Sequence, residues 1–208
     1  MDIQSVFGQQ DPIQTYRSSF SSTWEDEADI RAVRFVVRDT ETTGLDPRKD
    51  VIVSLGAVAV VDGQIELEDQ FEVVMPFAYN TSAVMIHGVT REGAQRAGVE
   101  EGEAMKRFLG YLRDGVIVGH HIGFDIDMLK LACERRFRIE LNNRWLDTME
   151  LTLHLEDAGA FPPLADDEKA DFSLDGLCRK FNIAPHDRHT AGVEQRAGDH
   201  HDQHQRHA

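Results

Sequence analysis

Cysteine is almost missing from this sequence: of 208 residues only Cys133 and Cys178 are cysteines, and they share no paired spacing. That excludes a disulfide framework and a cysteine-built zinc knuckle, and it predicts buried thiols in a reducing cytoplasm. Long hydrophobic runs are missing too. No apolar stretch nears the ~20 residues that a membrane helix needs, and the N-terminal MDIQSVFGQQDPIQTYRSSF has no basic start leading into an apolar core. The expectation is a cytoplasmic, unsecreted protein with no membrane partner. Positive charge is scarce: 22 Lys and Arg stand against 37 Asp and Glu, a formal net charge of −15. A chain so acidic does not coat many phosphates of a duplex, so any grip on nucleic acid has to be local.

What is present suffices for a core, since 41% of the 208 residues are hydrophobic. Residues 1–30 scatter Phe7, Tyr16, Phe20 and Trp24 among polar residues without a sustained period, which reads as an N-terminal extension. The main domain is expected over 31–194, followed by a polar, His-rich tail over 195–208. Within the domain, 35–37, 51–61 and 64–74 read as strands, the last two joined by Asp62-Gly63, a strong hairpin signal. Apolar residues at helical spacing predict a helix over 101–112, and 116–118 reads as a fourth strand leading to a helix opened by Asp125. A short strand at Trp145-Leu146 precedes a helix over 148–155 capped by Asp147; 159–171 reads as a surface loop, and Ser173 caps a helix through Phe181. Strands that are first antiparallel and then alternate with helices predict an α/β domain with a mixed sheet.

Three stretches carry chemistry. In RFVVRDTETTGLDP, residues 34–47, Asp39 and Glu41 are two apart in extended chain and share a face. Like charges so close repel unless a cation neutralises them, and carboxylate oxygens suit Mg²⁺ or Mn²⁺. A bare D-x-E also fits a strand that ends in a solvated acidic turn. Thr42, Thr43, Gly44 and Leu45 follow, offering hydroxyls and a backbone open to close approach. In VGHHIGFDIDML, residues 118–129, Asp125 starts a helix, either as an ordinary first-turn acid or as a working carboxylate, with Phe124 packing beside it and Asp127 solvated. In APHDRHTAGVE, residues 184–194, His189 has an imidazole able to take a proton from water near neutral pH. Arg135, Arg136 and Arg138 either track phosphates or complement a helix C-terminus, and His200, His201, His204 and His207 belong to a solvated tail with incidental metal affinity.

Together the stretches resemble the DEDDh 3′ to 5′ exonucleases, the family of the proofreading exonuclease subunits, from about Arg34 to Glu194. The first motif is D-x-E-T-T-G; the second resembles G-H-N-x-x-F-D, with His121 in place of Asn; the third resembles H-x-A-x-x-D, with Glu194 in place of Asp. Ile86 to Thr90, IHGVT, resembles the segment that lies beside the terminal nucleotide and brings in His87. The resemblance implies a ribonuclease H-like fold, a mixed five-stranded sheet with helices on both faces. It implies two Mg²⁺ or Mn²⁺ ions held by Asp39, Glu41, Asp125 and Glu194, with His189 as general base and Thr42, Thr43, Gly44, Leu45, His87 and Phe124 against the substrate. The function implied is release of nucleoside 5′-monophosphates from single-stranded or frayed DNA 3′ ends. Alternatives are an exoribonuclease or short-oligonucleotide degrader of the same fold, and a 3′-end-binding module without turnover, because Glu194 departs from the motif and the usual final helix has no apolar face here. No polymerase-binding tail is visible in the sequence.

Overall fold

The computed structural model describes residues 11–76, 98–161 and 171–184. Alternation organises its sheet. In β1, Phe35–Thr42, Val36 and Arg38 are buried while Val37 and Asp39 are exposed, as period two requires of a strand with one face on the core. β2, Ile52–Val61, runs antiparallel to β1, and β3, Gln64–Val74, runs antiparallel to β2. Asp62 and Gly63 turn between them with φ of 50° and 72°, the left-handed backbone that a tight hairpin demands. β4, Val116–Gly119, and β5, Trp145–Asp147, then add in parallel, giving the order β3-β2-β1-β4-β5. The expected mixed five-stranded sheet is observed.

The main core lies on one face of this sheet. Val36, Leu55, Val73 and Ile117 meet Ala104, Met105, Phe108 and Leu112 of α2, Glu101–Leu112, and Ile126, Leu129 and Cys133 of α3, Gly123–Phe137. Burial pushes the Cys133 thiol up to about 12, so it behaves as an inert core residue. α4, Thr148–Asp157, follows β5 directly, capped as expected by Asp147, and α5, Leu174–Lys180, is capped by Ser173 and ends one residue short of Phe181. Among the described residues no helix is long and apolar enough to cross a membrane.

Part of the N-terminal segment packs on the domain. Pro12–Ser19 forms a helix, α1, that packs on α2 and puts Tyr16 into the same core, 1% exposed. The Tyr16 hydroxyl donates to Asn143 Oδ1 at 2.9 Å and accepts from the Asn142 amide at 2.9 Å, while Asn143 Nδ2 donates to the carbonyls of Arg113 and Gly115. Desolvation raises the Tyr16 pKa to about 12, keeping the hydroxyl protonated for this role. A helix of barely two turns, anchored by one aromatic, leaves no periodic trace in sequence.

Candidate active site

The end of β1 is where the first motif turns. Thr43 Oγ1 donates to Asp50 Oδ1 at 2.8 Å and accepts from the Val51 amide, the Asp46 amide donates to Asp50 Oδ2 at 2.9 Å, and Thr42 Oγ1 donates to the Gly44 carbonyl. Asp50 therefore latches the turn. Gly44 has a structural reason beyond an open backbone: a Cβ there would lie 2.6 Å from Asp50 Oδ2. Leu45, by contrast, is 86% exposed at the tip.

Asp39 and Glu41 sit at alternate positions of β1, on the side away from the main core. Their β2 partners are small, Gly56 opposite Asp39 and Ser54 opposite Glu41. A Cβ added to Gly56 would meet nothing within 4 Å among the described residues, so the floor beside Asp39 is open.

Asp125 reaches β1 from its other face. It lies in the first turn of α3, which starts at Gly123, two residues earlier than expected. The reason is not local: the Ile122 side chain cannot cap, and the Ile122 amide instead donates to Asp147 Oδ2 of β5 at 2.9 Å. The Asp125 carboxylate accepts from the Thr40 hydroxyl, and its Oδ2 lies 3.0 Å from Arg38 Nη2. Arg38 Nη1 also donates to Thr40 Oγ1 at 3.1 Å, closing a ring of three side chains.

The structure thus brings Asp39 and Glu41 together on one face of β1 and ties Asp125 to the same strand through Thr40 and Arg38. Among the described residues, no three His, Cys, Asp or Glu side chains are grouped so as to hold one metal ion. The chemistry of the Asp39 and Glu41 pair fits a hard divalent cation, and among the described residues nothing lies within 4 Å of where a Cβ on Gly56, opposite Asp39, would sit. His87, His189 and Glu194 lie outside the described residues, as does the His-rich tail.

Other candidates settle more simply. Phe124 is half-buried against the core. Arg135 and Arg136 pair with Glu101, Arg136 also with Glu100 at 3.2 Å, and Arg138 with Glu134, so this basic cluster is neutralised by neighbouring acids. Burial lowers the pKa of His120, helped by its neighbour His121 and opposed by Asp147, and its Nδ1 lies 2.9 Å from Thr148 Oγ1. Arg38 and Asp50 are absent from the sequence-derived site. The signal for Arg38 is present, since it is two residues from both Val36 and Thr40 and so shares their inward face.

A family model described as exonuclease matches residues 36–192, three quarters of the chain and all of the sheet but Phe35. The chain belongs to the exonuclease domain family. Its relatives include the PolC-type DNA polymerase III of Thermotoga petrophila, 31% identical over 158 residues, covering 76% of this chain and 11% of the polymerase. The corresponding Bacillus subtilis protein is 32% identical over 160 residues, covering 76% and 10%. Among solved structures, E. coli exonuclease I in complex with a dA13 oligonucleotide matches with a TM-score of 0.60 and 20% identity, covering 76% of this chain and 37% of that one. The same exonuclease in complex with the SSB C-terminus gives 0.61 and 20%, covering 77% and 38%. This likeness shows the fold, the ribonuclease H-like sheet of exonucleases. The chain spans about a tenth of the length of the polymerases it matches.

Proposed function

We propose that this domain is a metal-dependent 3′ to 5′ exonuclease that releases nucleoside 5′-monophosphates from single-stranded or frayed DNA ends. The observation that carries the reading is the pair Asp39 and Glu41 on the side of β1 away from the main core, at the mouth of a turn fixed by Asp50. Asp39 and Glu41, with Asp125 and Glu194, would hold two Mg²⁺ or Mn²⁺ ions. When bound, such ions lower the pKa of water and stabilise charge on a departing 3′ oxygen. The chain's own residues do the rest. Asp50 keeps Thr42 to Leu45 in one conformation against which a terminal nucleotide can be oriented, and His189 takes the proton of the attacking water. A net charge of −15 suits an enzyme that grips only a strand end.

The test is a 5′-labelled single-stranded oligonucleotide incubated with Mn²⁺ or Mg²⁺, as DNA and as RNA, beside Asp39→Ala. The expected outcome is a metal-dependent ladder of shortened DNA. It should fall by at least about 10²-fold in the variant, as removal of a several-kcal/mol transition-state stabilisation requires. Intact DNA retained on the protein would establish instead a 3′-end-binding module, a reading favoured by the Arg38 guanidinium that already neutralises Asp125.

A further inference from the structure

We infer that the turn after β1 holds a second contact for the nucleic-acid strand, in which Arg48 takes the internucleotide phosphate one step upstream of the terminal nucleotide. The inference rests on the exonuclease reading above and names a residue for the local grip that so acidic a chain needs.

A phosphate contact here has to come from a cation that the protein has not already matched with an acid. Among the described residues most Lys and Arg side chains lie in ion pairs. Arg17, Arg31, Arg48, Arg113 and Lys130 lie in none of these. Arg31 and Arg113 come just before the starts of β1 and β4, which run parallel, so both are at the far end of the sheet from Glu41. Arg17 is on α1 and Lys130 is midway along α3. Arg48 lies in the turn that carries the chain from the end of β1 to the start of β2, directly after the two first-motif acids.

The turn itself explains why Arg48 stays unmatched. It holds two acids, and both have other partners. Asp46 Oδ2 pairs with Lys49 Nζ at 2.7 Å, and Asp46 Oδ1 accepts from the Arg48 amide at 3.1 Å. Asp50 accepts from the Thr43 hydroxyl and the Asp46 amide. The amides of Lys49 and Asp50 both donate to the Asp46 carbonyl, at 2.9 and 2.8 Å, and Pro47 fixes its own φ between them. The backbone at Arg48 is therefore held from both sides, while the residue is exposed. A guanidinium carried on fixed backbone offers a planar fork to phosphate oxygens and loses little freedom on binding them. Its place along the turn selects the phosphate. On the exonuclease reading the phosphate being cleaved belongs to the ions at Asp39 and Glu41. Arg48 lies beyond Leu45 on the outer part of the turn, where the next phosphate of the strand passes.

The test reads binding, so it applies whether or not the strand is cut. The full chain is titrated into a fluorescently labelled single-stranded oligothymidylate with Ca²⁺, an oxygen-seeking ion of looser geometry than Mg²⁺, and anisotropy gives Kd at several salt concentrations. The natural protein is compared with Arg48→Gln, Arg48→Lys and Lys130→Gln, each checked for a natural melt. Thymidine 5′-monophosphate, which has no upstream phosphate, is measured as a competitor. Arg48→Gln should weaken oligonucleotide binding about fivefold at low salt and lower the slope of log Kd against log salt by about 0.7, the share of one contact to a single strand. Arg48→Lys should keep the slope, because the charge remains, and Lys130→Gln should move neither quantity. Affinity for the monophosphate should fall by less than about twofold in Arg48→Gln. Equal losses for monophosphate and oligonucleotide would put Arg48 on the terminal nucleotide, and an unmoved Kd and slope would make it a solvated surface charge. Either result overturns the inference and leaves the exonuclease reading standing. No oligonucleotide bound by the natural protein in Ca²⁺ or in Mn²⁺ would end both.

Discussion

The two faces of β1 solve opposite problems with residues one position apart. Inward, Val36 is fully buried and Arg38 and Thr40 close a ring with Asp125 in which a buried charge meets its counter-charge. Outward, Asp39 is exposed opposite a glycine, Gly56, whose added Cβ would meet nothing within 4 Å among the described residues. Strand geometry makes this possible: period two lets one eight-residue segment serve the core and the chemistry without either side chain set intruding on the other. The difference teaches that neighbouring acids need not be in the same electrostatic state. Asp125 has its counter-charge within the protein, and on the proposed reading Asp39 takes its counter-charge from a bound ion.

If the faces are independent, substitutions should separate stability from activity. The largest stability effect is expected from Val36→Ala, which removes two fully buried methyl groups and should cost about 2 kcal/mol, read from the urea midpoint. Asp39→Ala, three residues on, should stay within about 0.5 kcal/mol of the natural protein while losing activity. Comparable destabilisation by both would mean that the outward face is also structural.

Next in size is Asp50→Ala. It deletes the acceptor of Thr43 Oγ1 and of the Asp46 amide, and should cost about 1–2 kcal/mol. Because the turn it latches lies at the outward end of β1, KM should rise several-fold, with a smaller fall in kcat. An unchanged KM would detach the turn from substrate orientation.

The sheet was readable from sequence because its signals are local. Alternation over β1 and the Asp62-Gly63 turn need only neighbours in the chain, as do the caps at Asp147 and Ser173. What escaped depends on contacts distant in sequence. The start of α3 is fixed by Asp147 from β5, the helix around Tyr16 by Asn142 and Asn143, and the first-motif turn by Asp50 across a loop. Arg38 is the instructive case. Its position on the inward face follows from the same period that relates Asp39 to Glu41, yet a charged residue in a run of strand formers reads naturally as an exposed one. Its partner Asp125 lies 87 positions further along the chain, so no local pattern announces a buried ion pair.

The smallest effect concerns an acid held in a third way. Asp147 is 5% exposed, and although burial works to raise its pKa, the amides of Met149, Ile122, His121 and Glu150 hold it below the usual carboxylate range. A depressed pKa in the folded state means that the unfolded chain binds the proton more readily. The stabilisation is therefore fully present above the unfolded value near ~3.9 and is lost as pH falls through the lower folded value. Asp147→Asn keeps the shape, removes the charge and leaves one amide facing a donor, costing about 1 kcal/mol at neutral pH. Chemical denaturation of both proteins at pH 7 and again below pH ~4 should show the gap between them closing in acid. A gap that persisted would mean that the amides recognise the shape of Asp147 rather than its charge. The contrast among Asp39, Asp125 and Asp147 would then rest on geometry instead of electrostatics.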